Sequence, residues 1–175
     1  VLKHCFSKRK WQQIKVPVLG EYLFGAPASN NRLSTDVSVS LWRKPVERLP
    51  DFEFGDIKQS GLASRESLDD IQLNEQGIGE LYYKGDWSQL HSPLNVKFIS
   101  SLFETGGRAI TRSHSTLLWP TKTLLGIKPS FKNKNPTENS TISFDIINAS
   151  VEGKKFAAEN IKVTLVKEDR RYFWV

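Results

Sequence analysis

The chain has 175 residues, which at roughly 100–150 residues per domain means one large domain or two small ones. Apolar residues at 38%, charged residues at 25% and ordinary counts of Gly (11) and Pro (8) exclude a disordered, collagen-like or low-complexity chain. Lys+Arg 25 against Asp+Glu 19 leaves a mildly basic +6, and the single cysteine excludes an intramolecular disulfide framework; no apolar run reaches the ~18 residues of a membrane-spanning helix.

Residues 1–15 carry Lys3, Lys8, Arg9, Lys10 and Lys15 without an acid. The run Lys8-Arg9-Lys10-Trp11 has the local look of a nucleic-acid contact, but a solvated arm or a linker from a preceding domain explains it as well. Val16–Phe24 reads as a strand, being rich in β-branched and aromatic residues. In the next strand, Val37, Val39 and Leu41 alternate with Asp36, Ser38, Ser40 and Trp42, the period-two pattern of a half-buried strand. Pro45 and Pro50 then break the chain. Residues 51–80 hold eight acids (Asp51, Glu53, Asp56, Glu66, Asp69, Asp70, Glu75, Glu80) against Lys58 and Arg65. That block interrupts any phosphate-tracking surface, so no nucleic-acid partner is expected. Ser67–Leu73 predicts one turn or a short strand. Glu75-Gln76-Gly77 is a turn before the strand Ile78–Lys84, and the lone Gly77-Ile78-Gly79 belongs to that turn.

Val96, Phe98 and Leu102 share one parity across 93–103. Gly106-Gly107, within Glu104–Arg108, supplies positive-φ residues for a hairpin into the strand Arg108–Trp119. A boundary falls near Trp119-Pro120-Thr121-Lys122, where proline interrupts the ladder. Beyond it come Lys122–Pro129, Ser140–Ile147 (Ile142, Phe144 and Ile146 alternating), a turn at Ala149–Lys154 with Gly153, Asn160–Glu168 (Ile161, Val163, Leu165) and Arg170–Val175. Residues 121–136 carry only lysines among charged residues: Lys122, Lys128, Lys132 and Lys134. No segment of twelve residues has helical periodicity. Short strands with turn signals every 8–12 residues predict an all-β antiparallel sandwich. Residues 1–120 hold some seven strands, enough for a core. Residues 121–175 hold about four, too few for two packed layers. They are expected to be the incomplete start of a second unit, leaning on the first or showing an open apolar face.

Little chemistry can be assembled. His4, His91 and His114 form no H-x-H or H-x-x-x-H pair. Cys5 has basic neighbours in Lys3 and His4 but no nucleophile context. Glu66, Asp69 and Asp70 lack the alternating ligands and glycine of a calcium loop. No G-x-S-x-G, H-E-x-x-H, Walker loop or G-x-G-x-x-G occurs. Asn139-Ser140-Thr141 and Asn148-Ala149-Ser150 are glycosylation triplets only in a eukaryotic secreted protein. No residue is assigned a catalytic, cofactor-binding or metal-binding role, and no cofactor is expected. The aromatic set (Trp11, Trp42, Trp87, Trp119, Trp174, Tyr22, Tyr82, Tyr83, Tyr172) fills cores and contacts, or else stacks sugars. The second possibility defines the alternative function, a carbohydrate-binding or adhesion module. It predicts two or three tryptophans exposed in a row on one flat face, and the exposure of Trp42, Trp87 and Trp119 decides it.

Tyr22-Leu23-Phe24-Gly25-Ala26-Pro27-Ala28, with Asn31-Arg32-Leu33 after it, resembles a stretch of the macroglobulin-type domains of bacterial α2-macroglobulins. The resemblance continues in Phe52-Glu53-Phe54-Gly55, Leu73-Asn74-Glu75-Gln76-Gly77, Ser92-Pro93-Leu94, Ser101-Leu102-Phe103-Glu104 and Gly106-Gly107-Arg108. It runs on through Leu118-Trp119-Pro120 and Leu125-Gly126-Ile127-Lys128-Pro129 to Val163-Thr164-Leu165-Val166-Lys167-Glu168 and Arg171-Tyr172-Phe173-Trp174. It implies tandem macroglobulin (fibronectin/immunoglobulin-like) β-sandwich domains, residues 1–120 and the beginning of a second from 121–175. It implies a large periplasmic parent, a lipoprotein anchored to the inner membrane, that captures proteases through a cleaved bait segment and a Cys–Gln thioester. The thioester motif C-x-E-Q is absent, since Phe6-Ser7-Lys8 follows Cys5, and no bait-like segment is visible. With neither methionine nor start residue, the chain reads as a middle fragment whose work is mechanical. Its partners would be the neighbouring domains of the same chain and, through the parent, the trapped proteases, with no direct membrane contact.

Overall fold

The computed structural model describes residues 13–104, 106–131, 136 and 139–166. His4, Cys5, Trp11 and the basic run, Lys132 and Lys134, and the strand expected at Arg170–Val175 lie outside the described residues. Among the described residues no helix forms, and none is therefore long and apolar enough to cross a membrane.

Strands β1 (Ile14–Leu19), β2 (Arg32–Leu41), β3 (Glu53–Phe54), β4 (Ser64–Ser67), β5 (Ile71–Gln72), β6 (Ile78–Tyr83), β7 (Leu94–Phe103) and β8 (Ala109–Leu118) precede Pro120; β9 (Leu124–Pro129), β10 (Phe144–Ala149) and β11 (Lys155–Phe156) follow it. The Ser67–Leu73 stretch resolves into the end of β4 and the two-residue β5, both paired with β2. The large sheet runs β4-β2-β7-β8, and every pairing in it is antiparallel. β2 and β7 match over ten residues each, from Arg32↔Phe103 to Leu41↔Leu94. Their alternation sets this register. Leu33, Thr35, Val37, Val39, Leu94, Val96 and Phe98 are buried, and a slip of one residue would drive Asp36 and Lys97 into the core. Thr35 is the one hydroxyl in that buried series; its Oγ1 lies 2.8 Å from Ser100 Oγ on the facing strand, which meets its hydrogen-bonding need.

A two-stranded sheet, β1 with β6, covers the large one. Ile14 and Tyr83 come down onto Val37, Val39, Leu94, Val96, Phe98 and Leu118, with the Tyr83 ring edge-on to Phe98 at 6.3 Å. A second cluster (Ala28, Leu33, Leu73, Leu81) extends the core away from Pro120. In the β7–β8 hairpin, Glu104 N donates to Arg108 O at 2.9 Å, and Gly106 and Gly107 take φ of 116° and 85°.

After Pro120, β9, β10 and β11 form a sheet completed by β3, in the order β11-β10-β9-β3. Here the expected parity differs. Ile147 and Ala149, with Leu124 and Gly126, face inward, whereas Phe144 and Ile146 share the other face with Leu125 and Ile127. Phe144, Leu125 and Ile127 remain 43–45% exposed. Among the described residues, then, the side that the Ile142-Phe144-Ile146 alternation marks is an apolar face that is partly exposed. Residues 160–166, expected as strand, form no ladder.

Ion pairs decorate the outer faces. Asp36 accepts from Ser67 Oγ (2.6 Å) and Arg65 Nη2 (2.7 Å), Asp70 pairs with Arg32 (2.5 Å) and Glu80 with Lys15 (2.6 Å). Each carboxyl is held below its ordinary value: Asp36 by the Ser67 hydroxyl and then Arg65, Asp70 by Arg32, and Glu80 by Lys15. A carboxylate with a depressed folded pKa stabilises the fold above its unfolded value near 4 and loses that contribution as pH falls through the folded one. The thermal midpoint is expected to hold from pH 7 to about 5 and to drop below about 4. The drop should be smaller in an Asp36→Asn/Asp70→Asn variant. Calorimetry across that range in low salt checks it. Asp70 and Glu80 are exposed and Asp36 is half-buried at the surface, so each contribution is small and salt-screened.

Candidate functional site

The features that the sequence singles out do not converge. His91 lies on the loop before β7 and His114 on β8. Asp70 is engaged with Arg32, and Glu66 stands exposed on β4. Among the described residues no three His, Cys, Asp or Glu side chains are grouped to hold a metal ion. The tryptophans do not make a row. Trp119 is 2% exposed, Trp87 is half-buried with its ring edge 5.9 Å from Tyr83, and Trp42 alone is exposed, at 39%. Lys128 is tied down, reaching Asp145 at 3.4 Å and the face of Phe52 at 5.2 Å.

What the fold does build is a joint around Trp119. Trp119, Val46, Phe52, Phe54 and Ala149 form one buried cluster, with Leu49, Leu117, Leu124, Ile147 and Val151 against it. Phe54 is fully buried, and its ring centroid lies 5.5 Å from that of Trp119. Residues from both sides of Pro120 thus share one core.

The device that joins them is the segment Trp42–Gln59. Pro45 and Pro50 keep it out of the ladder that β2 has just left. Tight turns, Leu49 N to Val46 O at 2.9 Å and Phe52 N to Leu49 O at 3.2 Å, direct Val46 and Phe52 inward. Asp51-Phe52-Glu53-Phe54 alternates, and its last two residues form β3, pairing Glu53 with Ile127 and Phe54 with Gly126. Both ends of the segment are rooted before Pro120: Trp42 N donates to Pro93 O (2.9 Å), and Arg43 binds Asp56 O (2.6 Å), Ser92 Oγ (3.1 Å) and Gln59 O (3.2 Å). The segment is therefore a strap, anchored on the first sandwich and hydrogen-bonded into the sheet of the second. Sequence reasoning places a boundary at Trp119–Pro120 but misses the strap; the alternation of Phe52 and Phe54 with acids was its signal.

Gly126 lies under the Phe54 ring, and a Cβ built there would approach Phe54 Cε1 to 2.7 Å. Gly126→Ala is expected to cost about 1–3 kcal/mol by overpacking, read as a lowered urea midpoint with an unchanged slope.

Fold and joint define the class: antiparallel β-sandwich of macroglobulin type, running through a strapped joint into the sheet of a second unit. Residues 7–120 match the family model of the bacterial alpha-2-macroglobulin MG5 domain, and residues 126–175 match that of bacterial macroglobulin domain 6. The chain belongs to the bacterial alpha-2-macroglobulin family. It is 37% identical over 178 residues to alpha-2-macroglobulin of Escherichia coli K12, an alignment covering 93% of this chain and 11% of that protein. The native conformation of E. coli alpha-2-macroglobulin, seen by cryo-EM, superposes with a TM-score of 0.74 at 34% identity over 88% of this chain and 10% of that one. The same protein activated by porcine elastase gives 0.75 at 38% identity, over 87% and 14%. The chain thus spans about a tenth of the length of its relatives.

Proposed function

We propose that this chain is a structural segment of an α2-macroglobulin-type protease-trapping inhibitor and is not itself an enzyme. Its work is to carry movement across the Trp119 joint as a stiff unit. The observation that carries this reading is the buried cluster shared across Pro120, in which Phe54 of the strap packs 5.5 Å from Trp119. Both the native and the elastase-activated forms of the E. coli relative share this fold over most of this chain, at TM-scores of 0.74 and 0.75, and a segment with a buried joint transmits displacement rather than absorbing it. The strap and the shared core supply the stiffness, because a joint with its own buried cluster is bistable or rigid, not softly deformable. The partners are the flanking macroglobulin domains and, through the parent, the proteases it captures. On this proposal the parent works in the periplasm, held to the inner membrane by a lipid.

The test is made in the full-length parent. A disulfide across β3–β9, Glu53→Cys with Ile127→Cys, is expected to leave protease capture unchanged when oxidised. Phe54→Ala is expected to lower the fraction of protease retained while the parent is still cleaved at its normal rate. Capture abolished by the disulfide would make the joint a hinge and sink this reading.

A further inference from the structure

The loop that joins β1 to β2 is built against the usual rule for turns. Solvent-facing turns favour Gly, Pro, Asn, Asp and Ser, and the neighbouring β7–β8 turn complies with Gly106-Gly107. The Tyr22–Pro27 loop instead holds two large apolar side chains in solvent. Leu23 is fully exposed and Phe24 is 81% exposed. Leu19 and Ile78, cross-strand partners at the end of β1, are exposed at the root of the loop. A single exposed apolar residue needs no explanation, but several at one place mark a contact surface.

The loop is fixed, so this exposure does not come from slack. Tyr22 N donates to Ala26 O and Gly25 N to Tyr22 O, each at 2.8 Å, and Glu21 bridges to Pro27. At the root, Gly20 N donates to Gly77 O (2.8 Å) and Ala28 N to Gly20 O (3.0 Å), and Ala28 is buried with Leu33, Leu73 and Leu81. Tyr22 packs against that cluster, and its hydroxyl accepts from Asn31 Nδ2 at 2.9 Å. The Phe24 ring lies flat on the Tyr22 ring, with centroids 5.4 Å apart and planes 6° apart, which leaves its other face to solvent. An aromatic ring already held in one position loses little entropy on docking. That is the character of an interface anchor.

Place and charge say what docks there. Ile14, where β1 begins, and Leu118, just before the joint, belong to one buried cluster, so the chain enters and leaves the sandwich at the same end. The six residues of β1, at about 3.3 Å each, carry the loop to the other end. The loop therefore faces away from the unit that follows Pro120. Residues 20–31 and 73–78 hold two exposed carboxylates, Glu21 and Glu75, and no lysine or arginine. Arg32 is engaged by Asp70, and the β7–β8 turn adds one charge of each sign, Glu104 and Arg108. An acidic rim disfavours an anionic lipid surface and suits a pocket edged by Lys or Arg. The chain spans about a tenth of the length of its relatives. The rest of such a parent is tethered to it, and tethering lets a small contact suffice. We propose that the Tyr22–Pro27 loop is a docking knob. Leu23 and Phe24 enter an apolar pocket, edged by Lys or Arg, on a domain of the parent that is remote in sequence; this rests on the reading of the chain as a segment of a larger inhibitor. The knob holds the far end of the sandwich while the strapped joint holds the near one.

The test compares the 175-residue chain with the purified full-length parent by hydroxyl-radical footprinting, read by mass spectrometry. Leu23 and Phe24 are expected to oxidise freely in the 175-residue chain. In the uncleaved parent they are expected to oxidise about tenfold more slowly, as for a tethered contact that is closed in about nine molecules of ten. Glu21→Lys with Glu75→Lys is expected to abolish that protection by reversing the rim, with the urea midpoint of the 175-residue chain unchanged. p-Benzoylphenylalanine at position 24 of the parent is expected to cross-link, within the same polypeptide, to a peptide outside the stretch that corresponds to residues 1–175. Equal oxidation in the two proteins, protection already present in the 175-residue chain, protection that survives the charge reversal, or cross-links confined to residues 1–175 would overturn the proposal. So would protection of the 175-residue chain by vesicles of phosphatidylglycerol and phosphatidylethanolamine, or protection that grows with its concentration, because a membrane or a second copy would then be the occupant. Protease capture is not a readout here, so the disulfide across β3–β9 still decides the stiff-segment reading by itself.

Discussion

Phe54→Ala is expected to remove about 3–5 kcal/mol of stability, the range for deleting a buried aromatic ring. That is a large share of the roughly 5–15 kcal/mol that holds a typical domain together. Three features place the loss at the upper end. Phe54 is fully buried. Its ring fills space that no neighbour can enter, because the facing position on β9 is Gly126, which has no side chain to swing into the gap. It also belongs to a two-residue strand, so the ring carries much of what keeps β3 on β9. The cavity stays open and its cost stays unrelieved. Urea unfolding followed by far-UV circular dichroism measures the loss. Trp119 reports on its location, since its ring lies 5.5 Å from Phe54 and is buried. Its emission is expected to shift to the red in Phe54→Ala, and the shift is expected to vanish when Trp119→Phe is added. A loss under about 1 kcal/mol would mean that the strap rests on the second sheet without being packed into it.

How far this joint could be read from the chain depends on which interactions are local. The alternation of Val37, Val39 and Leu41 predicted a strand and its buried face, because apolar and polar residues there divide cleanly by parity. The facing residues Val96 and Phe98 did the same, and the two patterns admit one register. After Pro120 the division fails. β9 reads Leu124-Leu125-Gly126-Ile127 and β10 reads Ile146-Ile147, so both faces are apolar and period two cannot say which is covered. The inner face is the one bearing Gly126, the least hydrophobic choice. It is inner because a ring from β3, over seventy residues earlier in the chain, fills the space above it. No local pattern contains that fact. The same holds for Ile161, Val163 and Leu165: their alternation is strand-like, yet a strand also needs a ladder, and none is formed at residues 160–166. The family was legible because its motifs cluster at turns and strand ends, Tyr22–Ala28 and Leu73–Gly77 among them, where backbone geometry restricts residue choice. The strap was not legible as a joint, since its meaning lies in what it touches.

The turn at Gly77 offers the sharpest separation of two effects that glycine usually confounds. Its φ of +73° is the left-handed region, which costs an L-residue about 1–2 kcal/mol. The same residue is pressed against backbone. A Cβ there would lie 2.3 Å from Gly20 O and 3.1 Å from Ala28 N. Those atoms cannot step aside, because Gly20 N donates to Gly77 O at 2.8 Å while Gly20 O accepts from Ala28 N at 3.0 Å. Nor can the turn rotate freely. Asn74 fixes it through Asn74 N to Ile78 O, Gly77 N to Asn74 O, and its side-chain Oδ1, which accepts from Gln76 N and Ile78 N. Gly77→Ala therefore adds an overpacking cost of about 1–3 kcal/mol to the conformational one, roughly 2–5 in all. Gly107 is the matched control: its φ is +85° and nothing lies within 4 Å of a Cβ built on it. Gly107→Ala should show the conformational part alone, about 1–2 kcal/mol. Asparagine, which tolerates the left-handed region, should rescue position 107 and fail to rescue position 77. Urea midpoints of the four variants decide the matter. Equal losses at the two positions would show that the Gly20–Gly77 approach yields to a methyl group and that this end of the sandwich is softer than its hydrogen bonds indicate.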